Sequence, residues 1–247
     1  DDESNSSKAD RLGKRLLNND KVIAIIGAST TGSTMVLAAL AQEAKVPIFS
    51  LAGGSVIANP LRSFVFVMGT SDSSNIERIY QFMQRNRISK IGILTGTDGY
   101  GTSASKQAEI FSEKYAIEIL SKESFNPKDT DITAQLTKLR GLPGLQAIIN
   151  LGFGQSAAII ARNYKQLGIT TPHFATQAMA SEAVIKAAGD AAEGMIISAN
   201  PAFFGLLAQN DPRKVLADDF LSKYRAKYGE TPNAPAGYAL DALRFIT

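Results

Sequence analysis

Short apolar runs alternate with helical segments from residue 22 to residue 199, and the turns rich in glycine, hydroxyl or aromatic residues follow the apolar runs. That order constrains the fold more than any single motif. Strands that each lead into a helix build parallel sheets with helices on both faces. In such sheets the turns gather at the carboxyl ends of the strands, where ligands bind. The pattern predicts strands at 22–26, 46–51, 64–68, 90–95, 117–124, 145–151, 173–176 and 195–199. Helical faces are marked by Ala9, Leu12, Leu16 and Leu17, by Ile76, Ile79, Tyr80 and Met83, and by Ile160, Tyr164 and Leu167. After residue 201 only helices are expected, with faces at Leu216, Phe220 and Tyr224 and at Ala239, Leu243 and Ile246. Two strand–helix series that meet near 68–71 and again near 199–201 predict two lobes. Residues 1–70 with 201–247 form the first, and 71–200 form the second. A cleft between lobes is a preferred place for a small ligand.

Residues 21–33 read K-V-I-A-I-I-G-A-S-T-T-G-S. The run 22–26 is apolar and mostly β-branched, as a buried strand is. Gly27 ends it, and Gly32 opens a helical segment. A hydroxyl-bearing turn into a helix N-terminus offers backbone N–H groups beside Thr30 and Thr31, which suits a carboxylate or phosphate. The plainer alternative is that Thr30 or Thr31 only caps the helix. A second turn of this kind, Ala52-Gly53-Gly54-Ser55, follows the run 46–51. A third, Gly96-Thr97-Asp98-Gly99-Tyr100-Gly101, follows 90–95.

Composition narrows the function. The chain of 247 residues is 45% hydrophobic, enough for one large or two smaller domains. No apolar run spans a bilayer. The 26 basic and 23 acidic residues are interspersed, so nucleic acid is not favoured. With no cysteine and one histidine, thiolate catalysis, disulfides, cysteine-ligated zinc and a Ser–His triad are excluded or disfavoured. Gly27 and Gly32 have the outer spacing of a P-loop, but Ser33 stands where lysine is required. No G-x-G-x-x-G follows the first strand, and Gly154-Gln155-Ser156-Ala157-Ala158 lacks the last glycine of a nucleophile elbow. Tyr100 and Lys106 do not have the spacing of a dehydrogenase pair. Asp129 and Asp131 precede a helix, where capping is the simpler role. No cofactor or metal is expected.

Several segments, in order, resemble the type I periplasmic solute-binding proteins, and within them the Leu/Ile/Val-binding branch that serves ABC importers. They are Asp1-Asp2 before a helix, the 22–31 element, Val46-Pro47-Ile48-Phe49-Ser50, Phe64-Val65-Phe66 and Asp98-Gly99-Tyr100-Gly101. They continue with Asp129-Thr130-Asp131-Ile132-Thr133-Ala134-Gln135-Leu136, Gly189-Asp190-Ala191-Ala192-Glu193-Gly194 and Tyr228-Gly229-Glu230-Thr231-Pro232. The resemblance implies an α/β fold of two Rossmann-like lobes, the first incomplete here because family members have further elements before Asp1-Asp2 and past Asp241-Ala242. It implies a non-enzymatic, periplasmic or lipid-anchored monomer that hands a small ligand to a membrane permease. Carried over by position, Thr30, Thr31 and Gly32 would hold the ligand carboxylate. Ala52, Gly53 and Ser55 would add backbone and hydroxyl contacts. Tyr100 and Phe153 would wall the second lobe, and each has the alternative of packing in its own lobe.

One departure matters. Amino-acid binders of the family carry a carboxylate after the strand that is 173–176 here, to pair with the ligand's α-ammonium, whereas this chain has Gln177-Ala178. Glu182 lies further on, in the next helix. A buried ammonium without an anionic partner is costly. The expected ligand is therefore an aromatic or aliphatic carboxylic acid with Gln177 making a neutral hydrogen bond, and an amino acid remains the alternative. A sensory domain of the same fold in a regulator or receptor is the second functional reading. An unrecognised α/β enzyme is the third, ranked last because no nucleophile–base pair is present.

Overall fold

The computed structural model describes residues 1–247, apart from the side chains of Phe203 and Phe204. The chain divides into two compact units, one of Asp1–Ser71 and Asn200–Thr247 and one of Asp72–Ala199. Both are built on parallel sheets flanked by helices.

Unit 1 begins with helix α1 (Ser6–Asn18), capped by the Asn5 side chain, which accepts from the Lys8 N–H at 3.0 Å. Strand β1 (Ile25–Ile26), helix α2 (Thr31–Ala44), strand β2 (Ile48–Ser50) and strand β3 (Val65–Val67) follow. The sheet order is β1-β2-β3, with Ile25 opposite Ile48 and Ile48 opposite Val65. Strand β1 is shorter than the apolar run 22–26. Its partner begins only at Ile48, and upstream the Val22 N–H turns back to the Leu16 carbonyl at the end of α1. The core joins Ala9, Ile25, Leu37, Ala41 and Ile48. Gly13 lets α1 lie close on α2, because a Cβ there would come within 2.5 Å of Leu37 Cδ2.

Unit 2 holds helix α3 (Asp72–Arg85), β4 (Lys90–Gly96), α4 (Gly99–Lys114), β5 (Glu118–Phe125), α5 (Thr133–Arg140), β6 (Ala147–Leu151), α6 (Gln155–Gln166), β7 (His173–Ala175), α7 (Glu182–Ala188) and β8 (Ile196–Ile197). The order is β5-β4-β6-β7-β8. The two-residue period of a strand sends alternate side chains to opposite faces. On β6, Ala147, Ile149 and Leu151 enter the core with Ile76, Ile79, Tyr80 and Met83 of α3 and with Ala104 and Ala108 of α4. Ile148 points the other way, to Leu136 and Leu139 of α5 and Ile160 and Tyr164 of α6. A strand covered on both faces reads as a continuous apolar run, which is why β6 stood out in the sequence.

The chain then returns to unit 1 with α8 (Lys214–Tyr228) and α9 (Ala234–Ile246). Here the expected faces are rotated. On α8 Leu221 is buried and Leu216 exposed, and on α9 Ala234, Tyr238 and Ala242 are buried while Leu243 and Ile246 are exposed. Ala234 and Tyr238 of α9 pack with Leu51 and Met68.

Candidate ligand-binding site

In unit 1 the residues expected to grip an anion sit at the carboxyl ends of β1 and β2. Thr30 is the N-cap of α2, and its hydroxyl oxygen accepts from the Ser33 N–H at 3.4 Å. The cap leaves the hydroxyl proton available to donate. Thr31 and Gly32 open the helix, so their N–H groups have no intrahelical acceptor. Thr31 is 2% exposed, and its Oγ1 has no hydrogen-bond partner. Gly32 lies beside the Ser6 hydroxyl of α1; a Cβ there would come within 3.1 Å of its oxygen.

The turn after β2 is packed against that helix start. A Cβ on Gly54 would lie 2.5 Å from Thr31 Cγ2 and 2.7 Å from Thr31 Oγ1. A Cβ on Gly53 would meet the Thr70 carbonyl oxygen at 2.2 Å, and one on Gly69 the Leu51 and Ala52 carbonyl oxygens at 2.8 Å. Three turns are thus stacked with only glycine between them. Two hydroxyls that sequence reasoning passed over tie the first pair together. Thr34 Oγ1 and Ser50 Oγ are 3.1 Å apart, Thr34 also donates to the Ala28 carbonyl at 3.3 Å, and Ser50 Oγ accepts from the Ala52 N–H at 3.1 Å. The third turn is held from α9, where the Tyr238 hydroxyl donates to Thr70 Oγ1 at 2.8 Å. Ser55 begins a short 3-10 helix, Ser55–Ile57, at the end of the middle turn.

In unit 2 the three expected residues follow β4, β6 and β7. Tyr100 is not in an open turn, since α4 already begins at Gly99. Asp98 caps that helix, its Oδ1 accepting from the N–H groups of Tyr100 at 2.8 Å and Gly101 at 3.1 Å. The Tyr100 hydroxyl donates to Thr176 Oγ1 at 2.8 Å. Its ring meets that of Phe153 edge to face, with centroids 6.1 Å apart and planes at 86°. Gln177 follows Thr176, is 8% exposed, and donates its backbone N–H to Asn75 Oδ1 at 3.3 Å. The structure therefore joins Tyr100 and Phe153 directly and brings Gln177 beside them through Thr176. Thr176 carried no sequence signal, because its partner is remote in the chain.

A separate cavity of about 500 Å³ lies at the other end of β7, lined by Tyr164, Pro172, His173, Asp190, Glu193 and Met195 among others. It is at the amino end of the strand, away from Gln177. His173 stacks on Tyr164 with centroids 4.6 Å apart, is 5% exposed, and has no partner for Nε2. Burial lowers its pKa to about 4, so it is a neutral structural residue at ordinary pH. The paired loop carboxylates are likewise local: Asp129 accepts from the Asn126 N–H and Asp131 from the Thr133 N–H. Among the described residues no group of three or more His, Asp or Glu side chains could hold a metal, and no helix is long and apolar enough to cross a membrane.

The family model described as "Periplasmic binding protein" matches residues 1–247. The leucine-, isoleucine-, valine-, threonine- and alanine-binding protein of Pseudomonas aeruginosa is 26% identical over 141 residues, 57% of this chain and 36% of that protein. The chain spans 36% to 58% of the length of the curated relatives it matches. Among solved structures, an extracellular ligand-binding receptor from Rhodopseudomonas palustris superposes with a TM-score of 0.92 at 24% identity, covering 99% of this chain and 69% of that one. A solute-binding protein of an ABC transporter from another strain of that species, in complex with 3,4-dihydroxy benzoic acid, has a TM-score of 0.84 at 19% identity, covering 100% and 66%. The match over the whole chain shows that it belongs to the periplasmic binding protein family.

Proposed function

We propose that this chain belongs to the solute-binding component of an ABC importer and that its ligand is a small carboxylic acid. The observation that carries the reading is the start of α2. Thr31 Oγ1 is a buried hydroxyl without a partner, beside two helix-opening N–H groups and the Thr30 hydroxyl. An unsatisfied buried hydroxyl costs about 1–3 kcal/mol, and a ligand carboxylate at that helix end would remove the cost and meet the helix dipole. Ala52, Gly53 and Ser55 are the proposed backbone and hydroxyl contacts around it.

For the rest of the ligand, Tyr100 and Phe153 supply an aromatic wall and Gln177 a neutral amide. An amide favours an acid without an α-ammonium. The P. aeruginosa relative is named for amino acids, whereas the R. palustris protein was solved with a dihydroxybenzoate. The test is a thermal-shift panel on the full-length protein, with leucine, valine and phenylalanine beside benzoate, dihydroxybenzoate and short aliphatic acids. A ligand at 100 times its Kd stabilises the native state by about 2.7 kcal/mol. Stabilisation by acids lacking an amine is expected. Stabilisation only by amino acids would remove the Gln177 argument, and no stabilisation by any acid would remove the carboxylate site.

A further inference from the structure

The hydroxyl of Thr176 has no role in its own segment. Thr176 precedes the 3-10 turn Gln177–Met179, yet that turn receives no side-chain cap, and the Met179 N–H goes to the Thr176 carbonyl instead. The residue is fully buried, and its Oγ1 receives the Tyr100 hydroxyl proton at 2.8 Å. A β-branched side chain at a strand end has few rotamers, so the acceptor it offers is fixed in place. Tyr100 is held at its other end as well, because Asp98 fixes the backbone of the first turn of α4. With backbone and hydroxyl both tied, the ring has one orientation, the one that sets its edge against Phe153.

We infer that Thr176 is a positioning residue, which anchors the Tyr100 hydroxyl and so fixes the Tyr100–Phe153 pair as a preformed apolar wall. Because a phenol has one proton and Tyr100 gives it to Thr176, the wall meets a ligand with ring carbon rather than with a hydrogen-bond donor. The part of the ligand lying there then finds no hydrogen-bond donor in Tyr100. This last step rests on the proposed carboxylate site.

Two readouts separate the anchor from the site. In the absence of ligand, full-length protein labelled with 3-fluorotyrosine gives a Tyr100 fluorine resonance, assigned by its loss in Tyr100→Phe. That resonance is expected to shift in Thr176→Val and to keep its wild-type position in Thr176→Ser, which retains the hydroxyl and reports on folding. An unmoved resonance in Thr176→Val overturns the anchor. The second readout is affinity for benzoate and for leucine by calorimetry. Thr176→Val and Tyr100→Phe should each weaken the better-bound probe by about tenfold, the scale of one hydrogen bond. The double variant should be no worse than either single one, as coupled residues behave. Additive losses, or a Thr176→Val protein that binds as wild type, overturn the inference. Unchanged affinity in Tyr100→Ala and Phe153→Ala would instead overturn the unit 2 part of the binding-site reading, leaving the fluorine readout to decide the anchor.

Discussion

Thr31 occupies the space that a side chain on Gly54 would need. The two belong to different turns, yet a Gly54 Cβ would fall 2.5 Å from Thr31 Cγ2. Gly54→Ala therefore cannot be absorbed at Gly54 alone, and Thr31 has to move. Overpacking of this kind costs about 1–3 kcal/mol. We expect a lowered melting temperature and, if Thr31 holds the ligand carboxylate, a loss of affinity larger than the loss of stability explains. Calorimetric unfolding and ligand titration of one protein sample check both.

The Ser50 hydroxyl joins two turns and also receives a backbone N–H. Ser50→Ala leaves the buried Ala52 N–H without its acceptor and leaves the Thr34 hydroxyl with the Ala28 carbonyl alone. A destabilisation of about 1–3 kcal/mol follows. Thr34→Val removes the hydroxyl that meets both Ser50 and the Ala28 carbonyl, but Ser50 keeps the Ala52 N–H and Ala28 keeps the Leu51 N–H, so it should cost less. Urea unfolding of the two variants orders them, and the reverse order would contradict the role assigned to Ser50.

His173 makes stability depend on pH. Its folded pKa lies near 4, below the ordinary value of 6.5, because burial opposes the charged ring. Between those values the unfolded chain binds more protons than the folded one, so unfolding becomes harder as pH rises. The contribution is complete above pH 6.5 and is lost as pH falls towards 4, amounting to about 3 kcal/mol in all. Lys165, Asp190 and Glu193 line the same cavity. Comparing His173→Gln with wild type isolates the histidine: the stability gap between them should change across pH 4–6.5. A constant gap would falsify the assignment.

Gln177→Glu tests the neutral amide. Burying a carboxylate at this position is costly, so the free protein should lose stability. The preference for leucine over benzoate should rise by about tenfold or more, the scale of one charge-assisted hydrogen bond. Paired titrations with the two ligands give the ratio, and a ratio that stays put would mean Gln177 does not face the ligand.

Unit 2 was the more legible part of the chain. Ile76, Ile79, Tyr80 and Met83 recur at the helical period and all four are buried, because α3 presents one clean face to the sheet. The five strands of unit 2 fall on five of the expected runs, and β4 and β6, covered on both sides, are the most continuous in hydrophobicity. The helices of unit 1 were harder. On α9 the buried stripe is Ala234, Tyr238 and Ala242, and a stripe with small residues is quieter than the exposed Leu243 and Ile246. Residues 22–24 have strand composition but no partner strand opposite them, and composition does not report a missing neighbour. In the candidate site, hydroxyls and glycines flagged the turns. What they touch was not visible: Thr34 with Ser50, Gly53 with Thr70 and Tyr100 with Thr176 are all tertiary pairings.

The glycine-only spacing of three stacked turns has a consequence for how this protein can change. At Gly53, Gly54 and Gly69 every alternative residue brings an atom into occupied space, so these positions cannot be adjusted by degrees. Phe153 is only half-buried, so a change of its side chain does not meet a neighbouring backbone as a Cβ at Gly53 or Gly69 would. If Tyr100, Phe153 and Gln177 face the ligand, a library aimed at new ligand preferences is expected to recover its variants there, while Gly53, Gly54 and Gly69 are expected to return as glycine.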